Sequence, residues 1–197
     1  MKSTEEFKQP TGYIGMILHK GGEWNAETQS LTPDAEIIEK LEFKNLIVNS
    51  ASTLMAQRLA PSSSTSTVTP GNFIANGLQY LAVGQGVQES GQSGFDFMNP
   101  QPAAVTNVKL RDELFRKTFT SWSFIDQGTG ASVSSATNIV QVVTTFLEAE
   151  AVGPIVEMGL YGGNATATKD SGFMFNYKTF PVWNKPADAR LIVSRVA

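Results

Sequence analysis

The chain has 197 residues, 41% of them hydrophobic and only 17% charged, with a net charge of −3 and no cysteine. A chain this long hides roughly 70% of its unfolded surface and needs no disulfide or metal staple, and without cysteine it has neither a thiolate nucleophile nor a sulfur-ligated zinc site. Lysines and arginines are scattered through an acidic chain, which argues against nucleic acid as a partner, and no window reaches the ~18 apolar residues of a membrane span.

Residues 1–11 are polar and are expected to form an extended arm; "MKSTEEFKQPTGY" lacks the apolar stretch of a signal peptide. "GYIGMILHK" (Gly12 to Lys20) predicts a strand, and the turn-rich run Gly21 to Ala35 follows it. "IIEKLEFK" (Ile37 to Lys44) sets Leu41 and Phe43 on one face at period two, so the two runs can pair as a long-looped hairpin. In "NLIVNSASTLMAQRLAP", Ile47, Val48, Ala51, Leu54, Met55 and Leu59 recur at spacings of three and four. This apolar stripe predicts one α-helix over about 46–60, stopped at Pro61. The serine- and threonine-rich run Pro61 to Gly71 has no composition for a core.

"LQYLAVGQG" (Leu78 to Gly86) predicts a strand ending in glycines, and 87–106 is a long loop carrying Phe95, Phe97 and Met98. Loops of that length are uncommon unless they bind something or are disordered. "NVKLRDEL" (Asn107 to Leu114) is expected to form one or two helical turns. Strands are then predicted at Arg116 to Ile125, Asn138 to Glu148, Ile155 to Tyr161, Phe173 to Phe180 and Ala189 to Val196, with glycines in the links. Short strands, glycine turns and one convincing helix predict a mainly β fold. The expectation is a single domain over 12–197, an antiparallel β-sandwich for which jelly-roll order is one option.

Signals for chemistry are sparse. His19 is the only histidine, and the expectation is a solvated or strand-end residue rather than a base or metal ligand. The glycines of "VGQGVQESGQSG" lack the G-x-G-x-x-G spacing, and "GGNATATKD" lacks a Walker ending. No cofactor, metal or catalytic residue is therefore assigned. Glu148 with Glu150 is the carboxylate pair that could serve a polysaccharide hydrolase. The bland reading of those two is a solvated strand edge.

Trp122, Phe124, Phe146, Phe173, Phe175 and Phe180 fall in predicted strands and are expected to fill the core. Tyr13, Trp24, Phe95, Phe97, Met98 and Trp183 are the candidate interface residues, because aromatics on loops and turns often anchor partners. Packing onto their own domain is the alternative. Trp24 and Trp183 could also stack on a surface glycan, as in a carbohydrate-binding recognition module. In "IVEMGLYGG", Val156, Met158 and Leu160 form the expected core face, while Ile155, Glu157 and Tyr161 point the other way. Glu157 is then solvated, paired with Arg116 or Arg111, or catalytic. If its face is covered it requires a partner, because an unpaired buried carboxylate costs several kcal/mol.

Five short motifs follow one another: "NLIVNSAS", "LAVGQG", "LRDELFRK", "IVEMGLYG" and "KTFPVWNK" with "LIVSRV". Their order and spacing resemble a loose group of tailed-bacteriophage structural proteins, over most of residues 12–197. The resemblance implies a β-sandwich virion component made in the host cytoplasm and acting without catalysis. It would belong to the tail, baseplate or fibre, or decorate the capsid as a cement protein. Its partners would be other virion proteins, including copies of itself. Leu110, Glu113 and Arg116 match a Leu-x-x-Glu-x-x-Arg segment, and Glu157 matches the acid of a Glu-x-Gly-Leu strand. The resemblance implies that Glu113, Arg116 and Glu157 form a structural ion pair.

Overall fold

The computed structural model describes residues 12–25, 28–48, 50–51, 77–87 and 96–196. The arm at 1–11, most of the helix expected over 46–60, and Phe95 lie outside them. The described strands are β1 (Gly12–Lys20), β2 (Trp24–Asn25), β3 (Ser30–Leu31), β4 (Glu36–Ile47), β5 (Leu78–Gly84), β6 (Glu113–Thr118), β7 (Ser121–Ile125), β8 (Ser132–Val133), β9 (Val140–Phe146), β10 (Gly153–Gly162), β11 (Phe173–Lys185) and β12 (Arg190–Val196).

All pairings except that of β2 with β3 belong to one open antiparallel sheet, in the order β6-β5-β10-β11-β4-β1-β12-β9-β7-β8. The sheet bends at β4. Most of β4 pairs with β1, while only Leu46 and Ile47 at its end pair with β11. The bend lays β6-β5-β10-β11 over β4-β1-β12-β9, giving the two layers of a sandwich. Between them lie Ile14, Met16 and Leu18 of β1, Leu81 and Val83 of β5, Val142 and Phe146 of β9, and Leu191 and Val193 of β12. Phe43 stacks on Phe180 at 5.3 Å, and Phe115 meets Phe146 edge-on at 6.0 Å. Such aromatic pairs add ~0.5–1.5 kcal/mol beyond their burial.

A second apolar cluster covers the outer side of β5, β10 and β11. It holds Val48, Ala82, Leu110, Tyr161, Met174 and Tyr177. β10 is therefore buried on both faces, which explains its nearly unbroken apolar sequence.

Several expectations are corrected. Leu46 and Ile47 continue β4 instead of opening a helix, because the main chain of β11 offers them partners; among the described residues, helical conformation is at Ser50 and Ala51. Residues 107–112 hold no helix, and Glu113 already begins β6. The predicted strand at 116–125 is two strands, β6 and β7. The chain crosses from one layer to the other at Phe119 and Thr120, where Thr120 N–H donates to Val143 O at 2.7 Å. Trp122, expected in the core, is 62% exposed. It sits opposite Val142 on the inner face, but β7 and β8 lie outermost on their side of the sheet. Its ring packs edge-on against Phe124 at 5.4 Å.

Candidate functional site

Glu157 lies at the centre of β10, between Gly84 of β5 and Thr179 of β11. It is 1% exposed, so the solvated reading fails. Its Oε1 accepts the main-chain N–H groups of Asp112 at 2.9 Å and Gly86 at 3.3 Å. Its Oε2 accepts Arg111 N–H at 3.1 Å and the Tyr177 hydroxyl at 2.5 Å. The Arg111 guanidinium in turn donates to Tyr177 Oη at 2.7 Å and to Gln101 O at 3.2 Å. Burial, and then the neighbouring Glu157 carboxylate, push the Tyr177 phenol well above its ordinary range, so it stays a donor.

The acid reaches these donors because Gly84 has no side chain. A Cβ there would lie 2.4 Å from Glu157 Oε1 and 2.5 Å from Asp112 O. Glycine leaves the room through which the carboxylate meets the loop that follows β5 and the segment that leads into β6. A carboxylate has about four lone-pair sites, and four donors occupy them.

Glu113 and Arg116 form the second centre. Arg116 Nε and Nη2 reach the two oxygens of Glu113, both at 2.6 Å, and both side chains are almost wholly buried. Arg116 Nη1 donates to Thr166 O at 3.1 Å and Ser171 O at 3.0 Å, and the guanidinium lies 4.5 Å from the Tyr161 ring centre. Asp170 N–H donates to Glu113 Oε2 at 3.2 Å. The pair thus fastens the loop between β10 and β11. Gly172 permits that loop to close, since a Cβ there would stand 2.4 Å from Ala165 Cβ.

Residues three apart in a regular strand face opposite ways, yet Glu113 and Arg116 share a face. A bulge at Leu114 is the cause. Ala82 pairs with Arg116 and Val83 with Phe115, but Gly84 pairs with Glu113. One extra residue on β6 resets the alternation. A register shift between Ile155 and Glu157 does the same in β10. It returns Ile155 to the core side, with Met158 and Leu160, while Glu157 keeps the outer side. The expectation that Ile155 faces away from the core is corrected.

The ion pair implied for Glu113, Arg116 and Glu157 resolves into two neighbouring centres. Glu113 takes Arg116 as its partner, and Glu157 is held by main-chain N–H groups and Tyr177.

The candidate interface residues divide. Tyr13 is 53% exposed on β1, with Lys44 over its ring at 6.0 Å. Phe97 and Met98 are exposed, Met98 at 65%, and Phe97 O accepts Val182 N–H at 2.8 Å. Trp24 is half-buried in β2. Trp183 is corrected: it lies in β11 and is only 4% exposed, part of the central core. β11 runs on past the exposed Pro181 because residues 180–182 bulge out of the pairing, where the missing N–H of proline costs little. Among residues not taken as interface candidates from the sequence, Ile37, Ile38, Val108 and Trp122 are exposed.

Glu148 and Glu150 lie in the turn after β9. Glu148 Oε1 accepts Arg190 Nε at 2.7 Å. Glu150 Oε2 accepts Lys117 Nζ at 2.5 Å and Leu147 N–H at 2.8 Å. The main-chain N–H at Glu148 and then Arg190 hold the Glu148 carboxyl below its usual range. Burial alone would raise Glu150, but Lys117 and Leu147 outweigh it and hold that carboxyl low as well. A glycosidase acid needs its pKa raised, whereas both of these carboxyls are held low, each beside a cation. His19 is buried at the end of β1, the strand-end alternative and not the solvated one, and its Nδ1 donates to Gly21 O at 2.7 Å. Among the described residues, no group of three or more histidine, aspartate or glutamate side chains could hold a metal ion. Comparison of the sequence with models of known protein families and with curated proteins returned no match.

Proposed function

We propose that this chain is a non-enzymatic structural protein of a tailed-bacteriophage virion. It assembles through protein–protein contacts, in the tail, baseplate or fibre, or as a cement protein on the capsid. The observation that carries the reading is the division of labour among its side chains. The acids that stand out in the sequence, Glu113 and Glu157, are consumed inside the fold by Arg116, Tyr177 and main-chain N–H groups. Aromatic and apolar side chains such as Tyr13, Phe97, Met98 and Trp122 face outward. A rigid sandwich with adhesive side chains at its surface suits a subunit whose work is to hold neighbours. The order of the five sequence motifs supports the same reading.

Immunogold labelling tests it, with antibody against the recombinant protein applied to particles released by cells that encode the chain. Gold at the tail tip, along fibres or over the capsid supports the proposal and also separates the locations. Chain found only in the soluble fraction, with no label on any particle, overturns it.

A further inference from the structure

β4 pairs with β1 along one side, from Glu36 to Asn45. On its other side only Leu46 and Ile47 find a partner, in β11. Between Ile37 and Asn45 that second side meets no strand among the described residues. The run contains no proline, and its residues from Glu36 to Lys40 are all exposed, Ile37 at 55% and Ile38 at 46%. A bare edge of this kind offers free N–H and C=O groups to another strand, and proteins blunt it with proline, bulges, a covering segment or charge. β4 has one bulge, at Ile38, and carries charges of both signs.

Those charges decide which strand fits. Two copies of β4 can meet antiparallel about a two-fold axis. Each register that keeps their apolar side chains on one face is named by the residue on the axis. With Glu39, Lys40 or Glu42 there, that residue faces its own like charge, which disfavours the pair. With Ile38 there, the axis falls on the bulge. With Phe43 there, Lys40 needs the side of Leu46 that β11 already holds.

With Leu41 on the axis the copies match. Lys40 stands opposite Glu42 of the second copy, and Glu42 opposite its Lys40. The pairing spans Ile37 to Asn45, which is the whole free run, and stops short of Leu46. Its regular part is Glu39 to Phe43, clear of the bulge. Within one copy Lys40 already reaches Glu42 at 3.2 Å, so the dimer gathers both pairs into one alternating cluster on the outer face. On the inner face Glu39 of the second copy comes opposite Phe43, over whose ring Lys178 Nζ stands at 5.5 Å. Among the described residues neither Lys178 nor Glu39 has an ion-pair partner.

We propose that two copies of this chain pair through β4, antiparallel about Leu41, so that the layer β4-β1-β12-β9 continues across the dimer. This names one contact of the assembly role proposed above and rests on that role for its purpose alone. A failed dimer strikes the contact, whereas the virion reading stands or falls on the gold labelling.

The test is sedimentation velocity of the full chain at concentrations up to ~0.2 mM, which covers weak association. A concentration-dependent dimer is expected. Lys40→Glu sets acid against acid at both symmetry-related pairs, and Glu42→Lys sets lysine against lysine, so each variant alone should dimerise at least about tenfold more weakly. Both side chains are exposed, at 58% and 72%, so each variant should keep the parent's cooperative melt. Mixed in equal amounts, the two variants should form a heterodimer of the parent's strength, because the acids of one chain then face the lysines of the other. A parent that stays monomeric at every concentration, single variants that associate as the parent does, a mixture that stays monomeric, or a trimer in place of a dimer would each overturn the proposal.

Discussion

Replacing Glu157 by alanine removes one acceptor from four donors: the N–H groups of Gly86, Arg111 and Asp112 and the Tyr177 hydroxyl. Each orphaned donor costs about 1–3 kcal/mol where water cannot reach it. The three main-chain groups alone, taken at the low end, come to ~3 kcal/mol, and water entering the vacated space offsets part of any larger sum. A loss of ~3–5 kcal/mol is expected, the range for breaking a buried charged centre. In a domain of this size each kcal/mol lowers the melting temperature by ~2–4 °C, so Tm should fall by ~6–20 °C. Glu157→Gln should also destabilise, because its amide nitrogen presents hydrogens to donors. Tyr177→Phe, which leaves the three main-chain donors paired but takes the hydroxyl from Glu157 and from the Arg111 guanidinium, should cost less, ~1.5–3 kcal/mol. Urea and thermal melts of the three variants measure the series. A Glu157→Ala protein that melts within ~2 °C of the parent would refute the reasoning and return Glu157 to the solvated class.

Gly84→Ala should cost ~1–3 kcal/mol in a urea melt, because its Cβ would press on Glu157 and on the Asp112 carbonyl; a neutral result would show that this junction gives easily. Glu113→Leu and Arg116→Met should each lose ~3–5 kcal/mol, while the double variant loses clearly less than their sum, since it leaves no buried charge unpaired. Burial holds the Tyr161 and Tyr177 phenols above their ordinary range, so their stabilisation is complete below pH ~10, where unfolded tyrosine ionises, and is lost as pH rises further. Tyrosinate absorbance should show these two of the four tyrosines ionising only as the fold melts. Trp183→Ala should destabilise by ~3–5 kcal/mol, as a core truncation does, whereas Trp122→Ser should cost no more than the ~0.5–1.5 kcal/mol of its edge-on contact with Phe124.

The strands were legible because each half-buried run keeps its alternation between glycine turns. β1, β4 and β9 show this most plainly, with Leu41 and Phe43 of β4 packing against the core as their spacing predicts. Local pattern failed where the chain changes layer. The run from Arg116 to Ile125 has one unbroken alternation, yet its halves belong to different layers of the sandwich. It failed again at bulges. Nothing in "DELFRK" marks Leu114 as the extra residue, so Glu113 and Arg116 could be paired only by resemblance and not by geometry. Trp183 stands between Pro181 and Pro186 and reads as a turn, but a bulge absorbs the first proline and the strand continues. For Glu157 the sequence supplied the condition that a covered acid must have partners. It could not supply the partners, because most are main-chain N–H groups, which every residue but proline carries.

That choice of partners explains why an acid belongs in so apolar a strand. The N–H groups of Gly86, Arg111 and Asp112 lie beside β5 and β6 on the covered side of the sheet and find their acceptor in this carboxylate. An apolar residue at position 157 would leave those donors buried and unpaired. A neutral amide would accept at one atom and repel at the other. Only a carboxylate offers acceptors on both sides, one oxygen to Asp112 and Gly86 and the other to Arg111 and Tyr177. The same arrangement is incompatible with proton transfer to a substrate, which needs an oxygen free to take or give a proton. In this fold Glu157 can be a strut or a base, but not both, and its four donors make it a strut.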